Sequence, residues 1–116
     1  MVLTQEMWDN WISALESGDY AQVRSKFLHY ADERKLGDAD GYCCLSVGAK
    51  VMGLKSFPNI DNFAPELRML ITPDVYRDCM GMNDYDNRSF VEIAAYLRTY
   101  QIIDGEPCSK QEATNV

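Results

Sequence analysis

Ser89-Phe90-Val91-Glu92-Ile93-Ala94-Ala95-Tyr96-Leu97 carries the clearest local instruction in this chain. A serine followed three residues later by a glutamate is a capping box. The hydroxyl accepts from the backbone N–H of the third helical residue, and the carboxylate reaches back to the N-cap N–H. Phe90, Ile93, Ala94 and Leu97 then recur at i, i+3, i+4, i+7, which is one face of a helix. The spacing predicts a helix from Phe90 to about Gln101. The first twenty residues repeat the logic: Thr4 as N-cap, Glu6 in the first turn, then Trp8, Trp11, Ile12 and Leu15 at helical spacing. Gly18, within Ser17-Gly18-Asp19, ends it.

Between these two helices lies Tyr42-Cys43-Cys44-Leu45-Ser46-Val47-Gly48-Ala49-Lys50-Val51-Met52-Gly53, apolar with small residues interleaved. Cys44, Val47, Val51 and Leu54, or Cys43, Val47 and Val51, fit a buried helical stripe, small residues allow a neighbour to pack closely, and Gly53 suits a C-cap. Residues 54–72 form a connector punctuated by Pro58 and Pro65, with Glu66 to Ile71 long enough for a helical turn. Thr72-Pro73-Asp74 reads as N-cap, N1 proline and acidic N2, opening a helix to Met80 that Gly81 stops. Residues 20–36 support two readings. Tyr20, Val23, Phe27 and Ala31 fit one helix face, whereas Lys26-Phe27-Leu28-His29-Tyr30 fits a short strand of a hairpin around residues 24–45.

These signals predict a mostly helical α+β fold, a single small domain with at most a short β-hairpin. The globular part spans residues 1–103. From Asp104 the chain is polar, with Gly105 and Pro107 and no periodicity, which predicts a disordered tail over 104–116. The predicted core is Trp8, Trp11, Ile12, Leu15, Phe27, Cys44, Val47, Val51, Phe90, Ile93, Ala94 and Leu97.

A length of 116 residues, 47% hydrophobic, is enough for one packed domain and too apolar for disorder throughout. The net charge of −7 argues against direct nucleic-acid binding, since phosphate contacts need Lys and Arg. The charge is uneven. Residues 1–20 carry Glu6, Asp9, Glu16 and Asp19 and no base, while Arg24 to Lys35 holds four of the eleven basic residues. No basic leader or membrane-length apolar run occurs, so no membrane association is expected. Cys43, Cys44, Cys79 and Cys108 show no disulfide spacing, and the expectation is reduced thiols in a cytoplasm.

Catalytic and metal patterns are weak. Zinc sites favour two close ligand pairs, but the only cysteine pair is adjacent and the single histidine, His29, stands in another segment. Gly37-Asp38-Ala39-Asp40-Gly41 suggests a calcium loop, yet Ala49 stands where the twelfth-position glutamate is needed. No glycine-rich phosphate loop is present. A thiol nucleophile at Cys43 or Cys44 would need a base beside it, and no local motif supplies one. No catalytic residue, metal or cofactor is therefore assigned.

Three pieces, in order, carry a resemblance. They are Trp11-Ile12-Ser13-Ala14-Leu15-Glu16-Ser17-Gly18-Asp19-Tyr20-Ala21-Gln22, then Tyr42-Cys43-Cys44-Leu45-Ser46-Val47, then Asn83-Asp84 with Ser89-Phe90-Val91-Glu92-Ile93-Ala94. The chain resembles a family of small uncharacterised bacteriophage and prophage proteins that run W-x-x-A-L-x-S-G-x-Y-x-Q, Y-C-C-L-G-V, L-N-D and S-F-x-E-I-A. Ser46 stands where that pattern has glycine, which calls for a relaxed approach there, Gly48 where many relatives place an apolar residue or Cys, and residues 29–40 look longer than in relatives. The resemblance implies a phage-encoded protein in the host bacterial cytoplasm and transfers no catalytic residue.

Three functions follow as expectations. The first is a non-enzymatic binding protein that inhibits a host protein such as a defence-system component, docking through Glu6, Asp9, Glu16, Asp19, Asp84 and Asp86. In its stronger form the carboxylates mimic nucleic-acid phosphates. The second is a binder of a small nucleotide signal through Arg24, Lys26, His29, Tyr30 and Arg34, with a homo-oligomer interface as one way to build the site. The third is an enzyme using Cys43 or Cys44.

Overall fold

The computed structural model describes residues 2–23, 28–29, 41–54 and 65–110. Among them are five helices: α1 (Gln5–Glu16), α2 (Cys44–Val51), α3 (Pro65–Ile71), α4 (Pro73–Asp84) and α5 (Phe90–Leu97). Two short antiparallel ribbons accompany them, β1 (Leu28–His29) with β2 (Gly41–Tyr42), and β3 (Tyr100–Ile103) with β4 (Glu106–Ser109). The architecture is α+β and mostly helical.

The centre is α2. Cys44 through Ala49 are all buried, so this helix is covered on every side. Against it pack α1, α3 and α4, and α5 packs on α1 and α4. The two tryptophans of α1 meet edge to face, with centroids 5.3 Å apart. Each indole N–H finds a carbonyl: Trp8 Nε1 donates to Leu97 O and Trp11 Nε1 to Cys44 O, both at 2.9 Å. Buried indoles need such partners, and these two pin α1 to the end of α5 and the start of α2. The predicted core residues Trp8, Trp11, Ile12, Leu15, Cys44, Val47, Phe90, Ile93, Ala94 and Leu97 are buried. Val51 is only partly so, and Phe27 lies outside the described residues. Leu67, Ile71, Val75, Tyr76 and Cys79 complete the core from α3 and α4.

Caps explain most boundaries. Thr4 accepts from Met7 N, and the Ser89–Glu92 capping box is formed in both directions. Gly53 follows α2 at φ 70°, the left-handed residue that ends a helix. Close approach between α1 and α2 occurs at Gly48, where an added Cβ would lie 2.9 Å from Trp11 Cε2. Ser46 is buried and tolerated because its hydroxyl donates back to Cys43 O at 2.9 Å.

One open reading is decided and three expectations change. Residues 28–29 are strand, paired Leu28 with Tyr42 and His29 with Gly41, so the hairpin reading holds at that point of 20–36. The fourth helix does not stop at Gly81 but continues to Asp84. A single interior glycine costs a helix about 1 kcal/mol, which burial of Cys79 and Asn83 on either side outweighs. The fifth helix ends at Leu97, not Gln101, because Tyr100 already belongs to β3. Residues 104–109 are not a disordered tail. Asp104 and Gly105, at φ 51° and 81°, make a two-residue turn closed by Ile103 against Glu106, and Glu106–Ser109 pairs back onto β3. The Asp-Gly pair tolerates the positive φ values that this tight turn needs. Residues 111–116 lie outside the described residues.

Candidate functional site

One polar network joins Gln22, Cys44, Asn83 and Phe90, which stand in widely separated segments. Asn83, at the end of α4, is fully buried. Its Oδ1 accepts from Cys44 N at 3.2 Å and from Gln22 Nε2 at 2.9 Å, while its Nδ2 donates to Val23 O at 2.9 Å and Asp84 Oδ1 at 2.8 Å. Gln22 in turn donates to Arg88 O at 2.8 Å and accepts from Phe90 N at 3.1 Å. Cys43, the N-cap of α2, offers no capping side chain, so Asn83 caps that helix from another element. Gln22 does the same for the first N–H of α5. The network is saturated with internal partners and joins segments together; its chemistry is that of a scaffold.

The thiols belong to the same interior. Cys43 and Cys44 are buried, and burial pushes the Cys43 thiol up to about 12 from its ordinary 9.0. Cys44 is raised too, by burial first and then by its bond to the Cys79 thiol; its Sγ also donates to Cys79 O at 3.4 Å. A nucleophilic cysteine needs the opposite shift and an exposed sulfur. Both shifts run against a thiolate near neutral pH. Among the described residues, no three His, Cys, Asp or Glu side chains gather as a metal site.

The predicted acidic residues divide. Glu6, Asp9 and Glu16 share one stripe of α1, on the side away from its tryptophans. Glu6, Asp9 and Asp19 are exposed, with Asp9 accepting from Gln5 Nε2. Glu16 is engaged in a two-pronged ion pair with Arg98. Asp84 is part-buried in the Asn83 network, and Asp86 is exposed beyond α4. The structure therefore does not bring the six together on one face as unengaged groups. Of the basic set, Arg24, Lys26, Tyr30 and Arg34 lie outside the described residues. His29 is placed only by its backbone, opposite Gly41.

A concavity that the sequence did not announce lies elsewhere. Val2, Leu3, Leu54, Leu70 and Met69 line an open-sided cleft of about 550 Å³ together with Glu66, Thr72 and the turn Asp104-Gly105-Glu106. Its volume falls within the ~300–1,000 Å³ of ordinary binding pockets. Leu3 and Leu54 are buried at its floor, whereas Val2 and Met69 are 69% and 82% exposed. Two lining residues are held at positive φ without being glycine: Thr72 at 78° and Asp104 at 51°. For a β-branched residue that is a strained geometry. Gly105 is favoured by its own φ of 81°; an added Cβ would also lie 2.9 Å from Cγ1 of the exposed Val2, which would have to turn aside. Glu66, Asp104 and Glu106 place three carboxylates on the lining, and no Lys, Arg or His is among the described residues that form it. Comparison with models of known protein families, with curated proteins and with solved structures gives no match.

The cleft was illegible in the sequence because four distant segments build it. The one usable signal was Asp104-Gly105, a hairpin turn pair between Ile102-Ile103 and Glu106-Pro107.

Proposed function

We propose that the chain is a phage-encoded, non-enzymatic binding protein that acts in the host bacterial cytoplasm by inhibiting a host protein, such as a component of a defence system. The observation that carries this reading is the cleft: buried Leu3 and Leu54, exposed Met69 and Val2, and a lining whose charged residues are all acidic. Such a surface offers area and charge to a partner. The buried, proton-retaining cysteines speak against thiol catalysis. The exposed Glu6, Asp9 and Asp19 extend the negative field that would steer a basic partner. A phosphate mimic built on α1 is less well supported, because Glu16 is neutralised by Arg98. No membrane partner is part of the proposal; no helix among the described residues is long and apolar enough to cross a bilayer.

The test is affinity capture from lysate of a bacterium that restricts phage growth, paired with plating efficiency when the protein is expressed there. The expected result is one dominant captured protein and relief of restriction. Failure to capture any protein, with restriction unchanged, would overturn the proposal.

A further inference from the structure

We infer that the cleft between α3, the N-terminal segment and the β3–β4 turn takes a short linear segment of a partner protein, one with an apolar side chain flanked by Lys or Arg. The inference rests on the binding-protein reading and names the partner's chemistry. Its first support is charge complementarity. Glu66, Asp104 and Glu106 line the cleft, and no described cation pairs with any of them. All three residues are exposed, and like-signed carboxylates gathered on a concave surface favour an incoming cation. A nucleotide or other phosphate would meet only like charge. The second support is the apolar surface. Met69 and Val2 are among the most exposed large apolar residues described, and both lie on this cleft beside the buried Leu3 and Leu54. A polyamine would answer the carboxylates and leave that surface wet. A peptide with both kinds of side chain covers both features, since apolar contact at the centre and charge at the rim is how interfaces divide their work.

The experiment is fluorescence anisotropy with a labelled heptapeptide, Lys-Leu-Lys-Met-Lys-Leu-Lys, on the full chain. Its counterpart with Glu for Lys and unlabelled spermine serve as comparators. The wild type should bind the basic peptide with an affinity that falls as salt rises, and should ignore the acidic one. The triple variant Glu66→Gln, Asp104→Asn, Glu106→Gln should weaken binding at least tenfold. Asparagine is accepted at the positive φ of position 104, so the turn should survive, which an unchanged Tm checks. Met69→Ser should weaken binding severalfold, and Glu6→Gln with Asp9→Asn should leave it unchanged. Absence of binding by the wild type, equal binding by the triple variant, or displacement by spermine at matched charge concentration would each overturn the inference. Host proteins still captured by the triple variant would overturn the cleft while leaving the binding-protein reading intact. Peptide binding without any captured host protein would do the reverse.

Discussion

Gln22 donates its amide hydrogen to Asn83 Oδ1 at 2.9 Å across 61 residues of chain, and through this pair the starts of two helices are capped from outside. The acceptor for Cys44 N is Asn83 and the acceptor for Phe90 N is Gln22, so each amide serves a helix to which it does not belong. Two residues with weak local propensity thus fix where α2 and α5 begin relative to α4.

Removing Asn83 should therefore be costly. Asn83→Ala leaves the buried Cys44 N–H and Val23 C=O without their partner, and a stranded buried group costs ~1–3 kcal/mol. A loss of roughly 3–4 kcal/mol in urea unfolding is expected. Gln22→Ala, at the more open end of the network, should cost about half as much. An Asn83→Ala midpoint equal to wild type would show that the network contributes nothing to stability.

Two glycines in helices should respond in opposite directions. Gly48→Ala drives a methyl to within 2.9 Å of the buried Trp11 ring, and overpacking of this kind costs ~1–3 kcal/mol. Gly81 in α4 has open space around a built Cβ and an ordinary helical φ. Gly81→Ala should raise stability by about 0.5–1 kcal/mol through helix propensity. Thermal unfolding of the pair gives the comparison, and the Trp11 change should also alter tryptophan fluorescence in Gly48→Ala alone.

The capping box should show in an acid titration. The Ser89 backbone N–H, and then Arg88, hold the Glu92 carboxyl below its usual range. A depressed carboxyl stabilises the fold at pH above the unfolded value and loses that contribution as pH falls through the folded one. The stability difference between wild type and Glu92→Gln should thus be present at neutral pH and shrink in acid. Ser89→Ala should cost ~1 kcal/mol, with its difference from wild type measured at neutral pH.

The opposite sign applies to Cys43. Its raised thiol pKa means that the folded state holds a proton the unfolded state releases, so stability is intact below 9.0 and declines as pH rises toward about 12. Denaturation midpoints should fall between about pH 8 and about pH 11, and fall less in Cys43→Ala. Native protein should leave Cys43 and Cys44 unmodified by a thiol reagent at neutral pH. Rapid labelling at either would reopen thiol chemistry.

What the sequence made legible was what a single element encodes by itself. Trp8, Trp11, Ile12 and Leu15 declare a helix face, and Ser89 with Glu92 declares a helix start, because periodicity and caps are local. The fate of Gly81 was not local: the helix continues there because Cys79 and Asn83 find buried places on neighbours far along the chain. The β3–β4 ribbon was masked by its composition. Glu106-Pro107-Cys108-Ser109 has little strand propensity, and the Asp-Gly turn that organises it resembles loop punctuation when read without its flanks. The acidic residues of α1 were visible as charge, but the loss of Glu16 to Arg98, 82 residues away, depended on tertiary structure. The cleft required all four of its segments to be assembled before it existed.

The bond from the Trp8 indole to the Leu97 carbonyl spans 89 residues and ties α1 to the end of α5. A chain leaving the ribosome N-terminus first makes α1 long before α5 exists to cover it. Trp11 can turn to α2 as soon as that helix emerges, but the Trp8 indole N–H has no such partner until Leu97 is made. Premature termination anywhere before Leu97 would leave that sticky surface permanently open. The interior around Trp8 is thus protected only once α5 has been made.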